Sequence, residues 1–528
     1  MKKKNLSKRV KLGSGLIVAF FIASSGVYGE YIKELTDIST QYENVNFNLI
    51  LKAPEIDENY NPDFTPTVTE FLRDTEGGYQ IVTSTSEIDP DKFESNQADV
   101  NYNRGLWVET DGVGTYFGEN YANFTNSDSE DPSYGMLIIT DGKRVYYNNK
   151  GNIDVTGKNN IGLVLNGGTA FHKVVNNYGN IKAENCAVEM RDSDQQLFLN
   201  NYGKIEGNVR IISEGANIEL SNQGGYVKGD IFLYGDYSAL SSTFRNQLNG
   251  IVDGNIYVYG NGYLDNSLGT INGNIYVNNG ELSNFEGTIN GKVFLFGDKS
   301  GTVNGPEGII KSDGDYGVVI LNGGDITNYG SIENTGHFGV IVINKGSAYN
   351  NEIIKNGDGN EYGNYGMIAI DGGKIINSGT IENSGDYGMA VINEGYAEND
   401  RDIQNNGKGG MIAYGAKSIA RNTEGGYVAN RSDYGMIALE GASIYNEGVI
   451  ANSGDVGMYI DSESYGYNSG TISNGGVTGV FTNKFFLNTG TIEPGGGAYA
   501  VISGASRGRV IFINPNNSGD THNPIQYE

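Results

Sequence analysis

From residue 134 to about residue 505, apolar residues come in short bursts separated by Gly, Asn and Asp, and the bursts return on a regular cycle. The anchor of the cycle is a Gly followed by an apolar run, as in DYGVVILN (315–322), DYGMAVIN (386–393) and DYGMIALE (433–440). It falls at Gly317, Gly339, Gly366, Gly388, Gly410, Gly435, Gly457 and Gly479, with Ala500 in the last slot. Weaker copies fit upstream at Gly135, Gly162, Ala187, Gly207, Gly229, Gly254, Gly273 and Gly291, giving about 17 units of about 22 residues. Each unit divides into an apolar run after the Gly and two shorter I-x-N-x-G runs, such as ITNYG (326–330) and IENTG (332–336). Runs of four to six residues between Gly, Asn and Asp predict strands and turns, not helices.

Aligned on the anchor, the units form columns. Seven residues before it stand Ile310, Ile332, Ile381, Ile403, Val428, Ile450 and Ile472; two residues further on stand Ser312, Asn334, Asn383, Asn405, Asn430, Asn452 and Asn474. Eleven residues after the anchor comes a second amide column, Asn328, Asn350, Asn377, Asn399, Asn446 and Asn468, interrupted by Arg421. Columns of this kind require stacked coils. Parallel strands at a rise of about 4.8 Å place each column's residues above one another. Aliphatic residues then make one continuous core, and amides make hydrogen-bonded ladders. The predicted fold is all-β, a parallel β-helix, right-handed by the crossover rule. Sixteen steps at that rise span roughly 75 Å.

Just before the anchor, Tyr316, Phe338, Tyr365, Tyr387 and Tyr434 form an aromatic column expected to stack. One residue earlier, Asp315, His337, Asn364, Asp386, Lys408, Asp433 and Asp455 mostly alternate in charge; Asp433 and Asp455 fall on adjacent coils, as solvated turn carboxylates or a pair bridged by a cation. In GDIFLYG (229–235), GNIYVYG (254–260), GNIYVNN (273–279) and GKVFLFG (291–297) the alternation turns Ile231 and Leu233 inward, so Phe232, Tyr257, Tyr276 and Phe294 should point out, one per coil. These four are the candidate partner-binding residues. Such a stripe either grips a sugar or a host protein or simply protects one face of the solenoid.

Residues 30–130 fit no unit and carry Pro54, Pro62, Pro66 and Pro90 and the sole tryptophan, Trp107. They are expected to cap the open end of the solenoid (131–510), with a disordered tail over 511–528. The 27-residue step ending at Gly366 leaves room for a loop, NGDGNEYG (356–363). Residues 1–29 combine a basic start (Lys2, Lys3, Lys4, Lys8, Arg9, Lys11), the apolar run LIVAFFIA (16–23) and small residues near Val27 and Gly29, which is the pattern of an export signal. Its removal lowers the basic count from 36 to 30 against 63 acids, from a net charge already at −27. That balance excludes nucleic acid and anionic membranes as partners.

Candidate chemistry is sparse. Cys186, the only cysteine, reads as a small buried hydrophobe. His172, His337 and His522 are the only histidines, and no P-loop, H-E-x-x-H or calcium-binding nonapeptide array is present, so no catalytic residue, cofactor or metal site is assigned. The enzyme alternative is a β-helical polysaccharide lyase or glycosidase, which needs carboxylates gathered on one face; here the acids are dispersed at turns.

The basic-headed leader, irregular N-terminal segment and N-x-G-x-I-x-N-x-G-x-x-G-M/V units resemble autotransporter (type V secretion) passenger domains, of the adhesin-like type found in anaerobic Gram-negative bacteria such as fusobacteria. The likeness covers 1–29 and about 134–505. It implies export to the cell surface or outside the cell and a non-catalytic role in binding a host protein or glycan. The chain departs from the family at its end, NPIQYE, which carries none of the amphipathic strands of a translocator barrel. A separate outer-membrane translocator, a released protein or a truncated gene product would each account for that.

Overall fold

The chain divides into two units, residues 1–75 and 76–528. The computed structural model describes residues 79–83, 94–96, 100–101, 106–110, 114–120, 124–126, 134–140, 143–157, 161–166, 173–192, 196–213, 215–235, 242–357, 365–476, 478–494, 499–503 and 509–512, all in the second unit. The leader at 1–29, most of the loop at 356–363 and residues 513–528 lie outside them, while Ile511 and Phe512, expected in the disordered tail, belong to the strand Arg509–Phe512 paired with Phe485–Asn488. Among the described residues all regular structure is β-strand, and no helix is long and apolar enough to cross a membrane.

The fold is a parallel β-solenoid. Each coil carries a long first strand, a short second and a short third; in one coil these are Tyr316–Leu321, Asp325–Asn328 and Ser331–Asn334. Each strand pairs in parallel with its equivalent in the next coil, so Tyr316–Leu321 lies against Phe338–Ile343, which lies against Tyr365–Ile370. All the expected coils from Tyr134–Thr140 to Tyr499–Ser503 are present in this stacking. The first and third stacks merge where a single strand runs round the corner, in Asn180–Asp192 and Lys204–Ser213.

The core follows from the strand period of two. Val318, Ile320, Ile326 and Ile332 point inward in one coil, and their counterparts Val340, Val342, Ala348 and Ile354 in the next. The third-strand column Ile310, Ile332, Ile354, Ile381, Ile403, Val428, Ile450 and Ile472 is continuous in register. The anchor glycine sits at the corner between third and first strands, against this column. A Cβ at Gly388 would lie 2.3 Å from Cγ2 of Ile403 and 2.8 Å from the carbonyl oxygen of Gly410. The corner has room for a hydrogen and nothing larger.

Two amide ladders run through the stack. Sixteen asparagines, from Asn149 through Asn177, Asn304 and Asn399 to Asn488, are joined by fifteen bonds, each from Nδ2 of one to Oδ1 of the next at 2.7–2.9 Å. The ladder is not interrupted at Arg421. Asn422 takes the place, because the turn before that second strand holds one more residue than its neighbours. The third-strand ladder Asn334–Asn356–Asn383–Asn405–Asn430–Asn452–Asn474 is likewise unbroken, with Asn356 filling the coil that the longer step had hidden.

Two expectations are corrected. The stack starts before residue 131: Tyr79–Thr83 pairs with Leu106–Thr110, and that strand with Tyr134–Thr140. Part of the segment expected as an irregular cap is therefore coil. Equivalent positions in these strands, Tyr79, Leu106 and Met136, are 27 and 30 residues apart, and these longer steps disguise the repeat. In the coils from 208 to 296 the anchor slot belongs to Asn208, Asp230, Asn255, Asn274 and Lys292, one residue after the glycines chosen from the pattern. The corner is closed differently here. Oδ1 of Asn208, Asp230, Asn255 and Asn274 each accept the backbone N–H of the same slot in the next coil, at 2.8–3.1 Å. These side chains supply the polar closure, and the glycine shifts to the preceding position.

Candidate interaction surface

The four aromatics expected on the outer face of the first strands do form one file. Phe232, Tyr257, Tyr276 and Phe294 are register partners, with ring centroids 4.9–5.0 Å apart and planes within 7° of parallel. A second file runs beside it through Tyr234 and Tyr259, stacked at 5.2 Å. The geometry limits what the file can do. Each ring spends its faces on its neighbours, so the edges and phenol hydroxyls are what remain for solvent. Sugar recognition by stacking needs a free ring face, and Phe232, at one end of the file, is only 8% exposed. The four side chains point outward as expected, with Phe232 buried and Tyr257, Tyr276 and Phe294 half-buried, an arrangement that suits the protective reading of the stripe. Burial pushes the phenols of Tyr234, Tyr257 and Tyr259 up to about 12, which keeps them neutral donors.

The same stripe continues in other residue types. Outward-pointing Val319, Ile341, Ile368 and Ala390 are fully buried although they lie outside the inner core. The aromatic column before the anchor covers this face: Tyr316, Phe338, Tyr365 and Tyr387 stack at 5.4–5.6 Å. Where Gly409 breaks the column, the Tyr387 ring, tilted 24° from that of Tyr365, and the Cδ1 atom of Ile437 close in, each within 3.3 Å of where a Cβ would stand. The first strands are therefore apolar on both sides, a packing role in each case.

Six of the ten exposed large apolar side chains among the described residues lie at the corner between second and third strands, which the sequence pattern did not single out. There Tyr178, Tyr202, Leu248, Leu268, Phe285 and Tyr329 are between 40 and 59% exposed. Each follows the buried ladder asparagine of its coil by one or two residues: Asn177–Tyr178, Asn201–Tyr202, Asn246 to Leu248, Asn266 to Leu268, Asn284–Phe285 and Asn328–Tyr329. The ladder fixes the corner and so aims the next side chain outward. Tyr178 and Tyr202 stack at 4.9 Å, the backbone N–H of Leu268 donates to the carbonyl of Phe285 at 3.1 Å, and the Phe285 ring lies over Gly305. From the coil of Tyr178 to that of Tyr329 is seven steps, about 34 Å at the usual strand spacing. Further along, the same corner turns polar and acidic, with Asn351, Ser378, Asp400, Glu424 and Glu447.

Other candidate chemistry is placed as follows. Cys186 is fully buried, its thiol pushed up to about 12 by desolvation. Asp386 pairs with Lys408 at 3.3 Å across adjacent coils, and burial holds its carboxyl above the usual range. Arg421 makes a forked contact with Glu447, at 3.1 and 2.8 Å. Among the described residues, no three His, Cys, Asp or Glu side chains gather where they would hold a metal ion.

No protein-family model, curated protein or solved structure matches the chain.

Proposed function

We propose that this protein is an exported, non-catalytic β-helical passenger that acts as an adhesin, holding a host protein or glycan surface while its coils serve as a spacer. The observation that supports this most directly is the group of exposed apolar side chains at one corner, present in six of the eight coils from Tyr178 to Tyr329. Exposed large apolar side chains gathered on one side of a fold mark a contact surface. The half-buried first-strand aromatics have a packing role in this reading. Export rests on the pattern at 1–29.

Two experiments test the proposal. Fractionation of the source bacterium with an antibody to residues 143–512 should find the protein at the surface or in the medium. The purified protein should bind saturably to a member of a panel of matrix proteins and glycans without altering it. Cleavage of a polysaccharide in that panel would replace the adhesin with the lyase or glycosidase reading, and retention in the cytoplasm would refute both.

A further inference from the structure

The exposed corner opens with a pair of rings. Of the five exposed tyrosines among the described residues, Tyr178, Tyr202, Tyr329, Tyr427 and Tyr465, only Tyr178 and Tyr202 stack on each other. Each directly follows a ladder asparagine, and its backbone N–H donates to the ladder residue's carbonyl one coil back, Tyr178 to Asn149 at 2.7 Å and Tyr202 to Asn177 at 2.8 Å. The side chains therefore leave the backbone at equivalent points of adjacent coils. Their ring centroids are 4.9 Å apart with planes 8° from parallel, and the residues are 49 and 40% exposed. Parallel rings on equivalent positions also bring their hydroxyl ends together; desolvation and the neighbouring Tyr178 phenol hold that of Tyr202 above its ordinary value. At the same turn the preceding coil carries Lys150 and the following coil Gln223, so no further tyrosine extends the pair along the corner.

We infer that Tyr178 and Tyr202 form an oxidative cross-linking site, where hydrogen peroxide acting through a haem peroxidase joins the two rings as a dityrosine. The inference goes beyond the adhesin reading and does not depend on it. One peroxide takes one electron and one proton from each phenol and leaves as two waters. The two phenoxyl radicals carry unpaired spin on the ring carbons ortho to oxygen, and an ortho carbon of one ring bonds to an ortho carbon of the other. Each of those carbons then gives up its hydrogen as a proton, both oxygens are reprotonated, and both rings regain aromaticity. The net change is the loss of one hydrogen from each ring and one new C–C bond. Bond formation requires the rings to turn out of their stack. This corner allows it, because the amide ladder and the backbone bonds hold the turn without these side chains.

The oxidant must reach both hydroxyls, and the rings must be close and free to turn. Other tyrosine pairs in neighbouring coils lack one requirement or another. Tyr234 with Tyr259, and Tyr257 with Tyr276, stack at 5.2 and 5.0 Å but are half-buried, their phenols raised by desolvation. Tyr365 and Tyr387 are buried outright. Tyr445 and Tyr467 stand 6.3 Å apart at 53° to each other, and Tyr434 and Tyr459 meet edge to face. The tie has a particular consequence in this chain. Its one cysteine is buried, so no internal disulfide is open to it. A covalent link between two coils restricts the unfolded chain as a disulfide does.

The test treats the purified full chain with a haem peroxidase and one equivalent of hydrogen peroxide. Dityrosine is followed by its blue fluorescence and by mass spectrometry of a tryptic digest. Cleavage after Lys173, Lys182, Arg191 and Lys204 places the two rings on separate peptides, 174–182 and 192–204. These should appear joined, at the sum of their masses less two hydrogens, from protein that still runs as a monomer on a denaturing gel. Tyr178→Phe and Tyr202→Phe, which each lose one exposed hydroxyl, should abolish the joined peptide, whereas Tyr445→Phe should leave it. Treatment should raise the urea midpoint of the wild type and leave that of Tyr202→Phe unraised. Absence of the joined peptide, a different tyrosine pair as the main product, or a covalent dimer in place of the intrachain link would each overturn the inference. So would persistence of the joined peptide in either Phe variant, or a midpoint no higher in the treated wild type.

Discussion

Replacement of Asn399 by alanine removes one member of the sixteen-residue amide ladder and leaves the aliphatic core untouched. Three hydrogen bonds go with it: Asn377 Nδ2 to Asn399 Oδ1 at 2.8 Å, Asn399 Nδ2 to Asn422 Oδ1 at 2.8 Å, and Asn399 Nδ2 to the Arg401 carbonyl at 2.7 Å. Each is worth about 1 kcal/mol net, so the direct loss is about 3 kcal/mol. Oδ1 of Asn422 is left without its donor in a buried site, while the Asn377 amide keeps its bonds to the carbonyls of Gly379 and Asp402. That orphan adds about 1 kcal/mol or more. A total near 4 kcal/mol is large for one residue, but in a solenoid it acts on one coil and its neighbours. The assay is therefore local as well as global: urea denaturation by far-ultraviolet circular dichroism, with hydrogen exchange followed on peptides from 396–406 and 419–430. The backbone N–H of Thr423, which donates to the Asn399 carbonyl at 2.9 Å, and that of Asp400, which donates to the Asn377 carbonyl at 2.7 Å, should lose protection first. The control is Asn290→Ala, which removes a single exposed amide bond to Asn272. If Asn399→Ala lowers the urea midpoint no more than Asn290→Ala and leaves exchange at the corner unchanged, the ladder is not a stabilising element and the reasoning is wrong.

Three further outcomes are expected. Gly388→Ala places a Cβ 2.3 Å from Ile403 Cγ2 at a packed corner and should destabilise by about 1–3 kcal/mol, whereas Gly372→Ala, with nothing within 4 Å but φ of 80°, should cost only the backbone strain; urea midpoints decide. Cys186 should stay unmodified by a thiol-specific reagent in native protein at pH 8 and react fully in urea, because its thiol is buried and raised to about 12. Tyr234, Tyr257 and Tyr259 have folded values near 12 against an ordinary 10, so their contribution is complete below pH 10 and is lost as pH rises through 12. An ultraviolet titration should show these phenols ionising late, and their triple replacement by Phe should move alkaline unfolding to higher pH.

The fold was legible in the sequence because columns that build a core repeat strictly. Ile332, Ile381 and Ile403 recur at one offset from the anchor, and so do Asn334, Asn383 and Asn405. Reading failed where a turn changed length. Asn422 hid behind Arg421 by one residue, and Asn356 and Ile354 were lost because extra residues follow their strand before Tyr365. From 208 to 296 the glycine moved one position because an Asn or Asp side chain had taken over the corner. A rule based on glycine alone cannot see that exchange.

The surface was less legible for a related reason. Phe232, Tyr257, Tyr276 and Phe294 share a strand position, so they stand out in an alignment, and that shared position is also why their rings consume one another's faces. Tyr178, Leu248 and Tyr329 lie at different distances from the anchor and share no such frame. What they share is the buried asparagine just before them. The corner residue after that asparagine carries little structural duty: the amide ladder and the flanking backbone bonds, such as Tyr329 N–H to the Asn304 carbonyl at 2.7 Å, hold the turn without its side chain. Those positions can therefore change from coil to coil without disturbing the core. Apolar residues gather there in one half of the solenoid and acids in the other. A partner that reads this corner reads the part of each coil that the fold leaves unspecified.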